Sequence, residues 1–235
     1  FFKFINKVID FVKVFEHMII DKLTSIENEI QLKINKLKLS SLKPTIIAVS
    51  KTFPIKNILP LVKFGHVHFG ENKVQEAIDK WTETKAKNPN IKLHLIGPLQ
   101  TNKVKFALKI FEYIHSVDRE KLAIKIADEQ NKQSKKIKIF IQINIANEEQ
   151  KSGIKKEHVY DFYRFCKNLD LDIVGTMCLP PQEGKSKGYF LEMNKINKEL
   201  NLSDLSMGMS GDYLEATENN ATYLRIGSKI FGQRT

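Results

Sequence analysis

TIIAVSK, residues 45–51, is the stretch on which the fold turns. Its β-branched and apolar residues, closed by a serine and a lysine, read as a short buried strand with Lys51 at its carboxyl end. Further short apolar runs follow at 67–69, 92–96, 113–115, 138–143, 172–176, 205–207 and 223–226. Between them lie segments with helical spacing, such as Phe190, Met193, Ile196 and Leu200. A long helical lead-in over residues 3–38, with Ile26, Ile30, Leu32 and Ile34 among its apolar positions, precedes the first strand. Strands alternating with helices imply a parallel sheet. Eight such units imply an α/β fold closed into a single (β/α)8 TIM-type barrel. A doubly wound open sheet is the alternative, because the second, fourth and seventh strand candidates are short.

A chain of 235 residues with 42% hydrophobic content can bury one substantial core. We expect one barrel domain over 18–235 and an N-terminal extension over 1–17. That extension, FFKFINKVIDFVKVF and the two residues after it, has charges at Lys3, Lys7, Asp10 and Lys13 that break any signal-peptide core. An amphipathic helix, or an upstream extension with the start at Met18, fits it. No apolar run approaches the ~20 residues that span a bilayer. The two cysteines, Cys166 and Cys178, make neither a disulfide framework nor a zinc pattern, which points to a cytoplasmic protein. The net charge of +11 is almost all lysine, with arginine only at Arg119, Arg164, Arg225 and Arg234. Arginine is the side chain suited to bidentate phosphate and base recognition, so nucleic acid is not expected as the primary partner.

In a barrel the chemistry sits at the carboxyl ends of the strands, with phosphate held by the last two loops. After the seventh strand candidate comes GMSGD (208–212), and after the eighth comes RIGS (225–228). Ser210, Gly227 and Ser228 offer hydroxyls and close backbone approach to an anion, although helix caps and turn glycines explain either loop alone. The other strand ends supply Lys51, Asn72, His94, Ser116, Asn144 and the Met177–Cys178 pair. Asn72 also reads as a helix cap, and His94 as a core histidine. A lysine at the mouth of a buried strand loses part of its hydration, which favours the neutral amine. Such an amine beside a phosphate cradle describes a site for pyridoxal 5'-phosphate (PLP). Arg225, beside the phosphate loop, would meet the pyridine nitrogen. A guanidinium there disfavours protonation of the ring and weakens it as an electron sink. The GKS tripeptide at 184–186 lacks the first glycine of a P-loop, and His66 with His68 lacks further metal ligands.

The segments AVSKT (48–52), FGENKVQE (69–76), HLIGPLQTNK (94–103), IHSVDR (114–119), IQIN (141–144), KSG (151–153), GTMCL (175–179), LSMGMSGD (205–212) and RIGSKIFGQR (225–234) resemble the YggS/PROSC family of PLP-binding proteins. The resemblance runs from about residue 20 to 234. It implies a barrel like the N-terminal domain of alanine racemase, with PLP held as a Schiff base on Lys51. It also implies Asn72 near the ring, Ser210, Gly227 and Ser228 on the phosphate, and Arg225 at the pyridine nitrogen. His94, Ser116 and Met177 are carried over as lining residues. Gly211 and Cys178 depart from the residues usual at their positions.

The implied role is PLP homeostasis and amino-acid balance, with PLP and apo PLP-dependent enzymes as partners and a monomeric chain. Alanine racemase-type enzymes complete their pocket with a second domain, and no residues follow Thr235 to build one. A carrier is therefore expected rather than an enzyme. The alternatives are a small PLP-dependent racemase or lyase and a basic RNA-binding module.

Overall fold

The computed structural model describes residues 2–181 and 186–233, with side chains from residue 16 onward. The first two residues of GKS, and Arg234, fall outside the described residues. The strands are β1 (Thr45–Val49), β2 (His68–Glu71), β3 (Lys92–Leu95), β4 (Tyr113–Val117), β5 (Lys138–Asn144), β6 (Ile154–Lys155), β7 (Asp172–Cys178), β8 (Asp204–Ser206) and β9 (Tyr223–Ile226). The helices are α1 (Phe2–Leu37), α2 (Ile55–Phe64), α3 (Val74–Lys87), α4 (Val104–Ile110), α5 (Glu120–Gln133), α6 (Val159–Asn168), α7 (Ser186–Glu199), α8 (Tyr213–Glu218) and α9 (Ser228–Phe231).

All pairings are parallel. The strand order is β4-β3-β2-β1-β9-β8-β7-β5, and β4 pairs with β5 to close the ring. That last pairing excludes the open sheet. The two-residue β6 adds to the end of β5, and no sequence pattern announces it. Within β1, Ile46 and Ala48 join the core beneath the helices while Ile47 faces the barrel interior. Alternation of this kind gives the protein two cores. The outer one lies between sheet and helices, with Phe69, Trp81, Leu93, Ile141 and Phe190 at its heart. The inner one holds Ile47, Tyr113, Phe140, Met177 and Tyr223. Two histidines complete it by stacking, His94 on Tyr113 at 4.2 Å and His115 on Phe140 at 4.1 Å.

Helix α1 runs unbroken through residue 18. Its buried stripe is Ile19, Leu23, Ile26, Ile30 and Ile34, at the spacing of one helical face. Leu32 does not belong to it. Two residues beyond Ile30 it lies about 200° around the helix, and it is 69% exposed. Glu29 of α1 accepts from Lys229 Nζ at 2.9 Å and from the Tyr213 hydroxyl, which ties this helix to α9 and α8. No helix among the described residues is long and apolar enough to cross a membrane.

Candidate functional site

At the carboxyl end of the barrel, Lys51 stands two residues beyond the end of β1 and is half-buried. Its neighbours on both sides are pinned. Ser50 Oγ donates to Glu71 Oε1 at 2.7 Å, and Lys80 Nζ donates to the Ser50 carbonyl at 3.0 Å. The Thr52 amide donates to Glu76 Oε1 at 2.6 Å. Thr52 has φ 69°, a left-handed conformation costly for a β-branched residue, and this hydrogen bond helps hold it. Lys80 links the two carboxylates, reaching Glu71 at 3.0 Å and Glu76 at 2.9 Å. Trp81 Nε1 also donates to Glu71 at 2.9 Å. Burial pushes the Glu71 carboxyl up, and Lys80, Trp81 and Ser50 pull it back. The bonds from Lys80 to the Ser50 carbonyl and from the Thr52 amide to Glu76 thus anchor the backbone on both sides of Lys51 to α3.

Lys51 opens on a pocket of about 660 Å³. Asn72, Arg225, Ser210, Gly227 and Ser228 share its wall. Asn72 does not cap the following helix: the cap position of α3 is Lys73, without a side-chain bond. Gly97 presses against it, and a Cβ there would stand 2.5 Å from the Asn72 carbonyl oxygen. Ser210 Oγ accepts from the amides of Gly227 and Lys229, both at 3.3 Å, so the GMSGD and RIGS loops meet. Arg225 is buried, donating to Ser206 Oγ at 2.6 Å and to the Cys178 carbonyl at 2.8 Å. An amine, a guanidinium, an amide and a cluster of hydroxyl and backbone donors therefore face one space. This donor set matches the aldehyde, ring nitrogen and phosphate of PLP.

Three expected lining residues lie behind the wall instead. His94 is fully buried two positions before the end of its inward-facing row, where Ile96 reaches the pocket. It is the core histidine of the two readings. Met177 belongs to the inner core beneath the pocket. Ser116 is buried and donates to the Gly97 carbonyl at 2.7 Å, bracing the turn that does line the site. Sequence reasoning missed Ile96 and Glu215 on the wall and the Glu71–Lys80 pair behind Lys51, and it gave Met209 and Asp212 only as members of the GMSGD loop. The alternation of FGEN was the available signal for Glu71, which shares its strand with the buried Phe69. Among the described residues no three His, Cys, Asp or Glu side chains form a metal-binding group.

The histidines predict a pH dependence. Burial lowers the pKa of His94 and His115 well below the ordinary histidine value, and the neighbouring histidines add to the effect for His94 and the Arg225 guanidinium for His115. Burial, with His66, Lys92 and Lys138, lowers His68 to about 4. An unfolded histidine protonates near 6.5, so below that pH the unfolded chain binds more protons than the folded one. Stability should therefore fall as pH drops from about 6.5 toward 4. Thermal melts in matched buffers should show the midpoint declining already between pH 6.5 and 5.5, above the carboxylate range. A flat midpoint over that interval would contradict neutral histidines in the barrel.

Comparison with known proteins agrees with this geometry. The family model described as "Alanine racemase, N-terminal domain" matches residues 26–235. The chain is 34% identical over 200 residues to the pyridoxal phosphate homeostasis protein of Vibrio cholerae, covering 80% of this chain and 85% of that one. Its fold is similar to that of PipY of Synechococcus elongatus, solved without PLP (TM-score 0.77, 31% identity) and with PLP bound (TM-score 0.72, 30% identity). Each covers 86% of this chain and all of that one. A closed parallel barrel with its polar rim, a family model spanning most of the sequence and relatives matched over most of their length place the chain in the pyridoxal phosphate homeostasis family, within the alanine racemase N-terminal domain fold.

Proposed function

We propose that the protein binds PLP as a Schiff base on Lys51 and serves in PLP homeostasis and amino-acid balance rather than in turnover. The observation that carries this reading is the convergence of Lys51, Arg225 and the Ser210–Gly227–Ser228 cluster on one pocket. The Lys51 amine would take the aldehyde carbon, with loss of water, while the joined loops hold the phosphate. When bound, PLP supplies a reversible carbonyl trap for amines. Asn72 would orient the ring from the β2 side.

Arg225 argues against transamination. A buried guanidinium, fixed by Ser206 and the Cys178 carbonyl, keeps a positive charge where a strong electron sink would have a carboxylate, which suits reversible aldehyde capture or limited proton transfer better. Delivery to apo PLP-dependent enzymes, a monomeric state and a cytoplasmic setting belong to the same proposal. The similarity to PipY, solved with PLP bound, and to the pyridoxal phosphate homeostasis protein of Vibrio cholerae favours the PLP-binding part of this reading.

The experiment is spectroscopic. Purified protein supplied with PLP should gain a visible absorption band that borohydride bleaches, and peptide mass mapping should find the reduced adduct on Lys51. Protein that stays colourless, or an adduct on another lysine, would refute the reading. Rapid exchange of amino-acid α-hydrogens in deuterated water by the loaded protein would favour the small-racemase alternative.

A further inference from the structure

A line of polar side chains runs along the barrel axis, through a layer otherwise filled by Tyr113, Phe140, Met177 and Tyr223. Beneath the pocket, Arg225 donates to Ser206 Oγ at 2.6 Å. Ser206 Oγ lies 2.9 Å from His115 Nδ1, His115 Nε2 lies 2.9 Å from His94 Nδ1, and His94 Nε2 lies 2.9 Å from His68 Nδ1. His68 then borders a second cavity, of about 330 Å³, at the opposite mouth of the barrel, beside His66 and α1. These contacts join the run β2, β3 and β4 to β8 and β9 from the far end of the sequence.

The donors and acceptors permit one consistent direction. A guanidinium only donates, so Ser206 Oγ accepts from Arg225 and passes its own hydrogen to His115 Nδ1. A neutral His115 then carries its proton on Nε2 and donates to His94 Nδ1. His94 in turn donates from Nε2 to His68 Nδ1. In the reverse direction Ser206 would accept from both sides, leaving its hydroxyl hydrogen without an acceptor in the chain. Burial keeps His94 and His115 neutral, which preserves one donor and one acceptor on each ring.

We propose that Ser206, His115, His94 and His68 form a one-way hydrogen-bond chain, its direction set by Arg225, which makes Ser206 and His115 positioning residues for the guanidinium that meets the cofactor's pyridine nitrogen. The positioning role rests on the PLP reading above, whereas the direction of the chain does not. A fully satisfied buried network of this kind specifies one arrangement of its members, because each break leaves a desolvated polar group unpaired. Arg225 is therefore held at a fixed place by the opposite half of the barrel.

Nitrogen-15 NMR of the histidine side chains, in protein with and without PLP, tests the direction. His68, His94 and His115 should each be protonated on Nε2 and bare on Nδ1, with a nitrogen–nitrogen coupling across the His94–His115 bond. Any one of them protonated on Nδ1 would overturn the chain, whatever PLP does. Ser206→Ala tests the positioning. It should free the His115 tautomer, shift the absorption band of the PLP-loaded protein and raise the PLP release rate about tenfold or more, the effect of losing a charge-assisted hydrogen bond. Ser206→Thr, which keeps the hydroxyl, should restore both. Band and release rate unchanged in Ser206→Ala, with wild type loading normally, would remove the positioning role. Failure of wild type to load PLP would refute the binding proposal instead.

Discussion

Lys51→Ala should abolish the visible band and the borohydride-trapped adduct, and should weaken PLP retention at least about a hundredfold, on the order of 3 kcal/mol. The reason is the loss of the only covalent step in the proposal, while Asn72, Arg225 and the joined loops remain to hold PLP by contact alone. Lys51→Arg should behave like the alanine variant in the trapping assay. A guanidinium keeps the charge but stays protonated and does not offer a nucleophilic amine. Equilibrium dialysis followed by reduction and mass mapping separates covalent from residual binding. Unreduced retention equal to wild type in both variants would mean that the pocket, and not the amine, does the binding.

The largest stability effect should come from Lys80→Met. Its ammonium is buried with a side-chain exposure of 9%, and its partner Glu71 has none. Breaking a buried pair from one side costs about 3–5 kcal/mol, because the remaining charge is left desolvated. For a domain of this size that corresponds to a melting point lower by roughly 6–20 °C. The same substitution releases the Ser50 carbonyl and the Glu76 carboxylate that hold the backbone around Lys51, so PLP loading should also slow. Adding Glu71→Gln should recover much of the stability, since no buried carboxylate then lacks its cation. A loss no greater in Lys80→Met than in an exposed variant such as Lys87→Met would show that Glu71 is satisfied by Ser50 and Trp81 alone.

The architecture was legible in the sequence because a parallel barrel announces itself through runs like TIIAV, apolar on both faces. Boundaries were less so where polar residues enter the sheet. The second strand extends to Glu71 rather than ending at Phe69, since Lys80, nine residues further on in α3, neutralises the carboxylate. Period-2 reading has no view of such a partner. The fourth strand continues to Val117 past an irregular register with β5. The rim residues Lys51, Asn72, Arg225, Ser210, Gly227 and Ser228 were legible because strand ends and glycine-rich turns fix them. The depth of His94, Met177 and Ser116 was not, for depth depends on the tilt and stagger of neighbouring strands. A histidine lining an interior and one lining a pocket look alike in one dimension.

Ring closure has a consequence for biosynthesis. β1 carries Lys51 at its tip, yet it gains its β9 neighbour only through the register Thr45↔Tyr223 to Ala48↔Ile226. At translation speeds of about 5–20 residues per second, most of the chain must emerge before that partner exists, a wait on the order of ten to thirty seconds. Until then one edge of the first strand stays open to chaperones or to mispairing, and the vitamin-binding end of the barrel is unassembled. The pocket around Lys51 is therefore complete only after β9 has emerged and paired with β1, so the vitamer meets its full set of contacts late in synthesis.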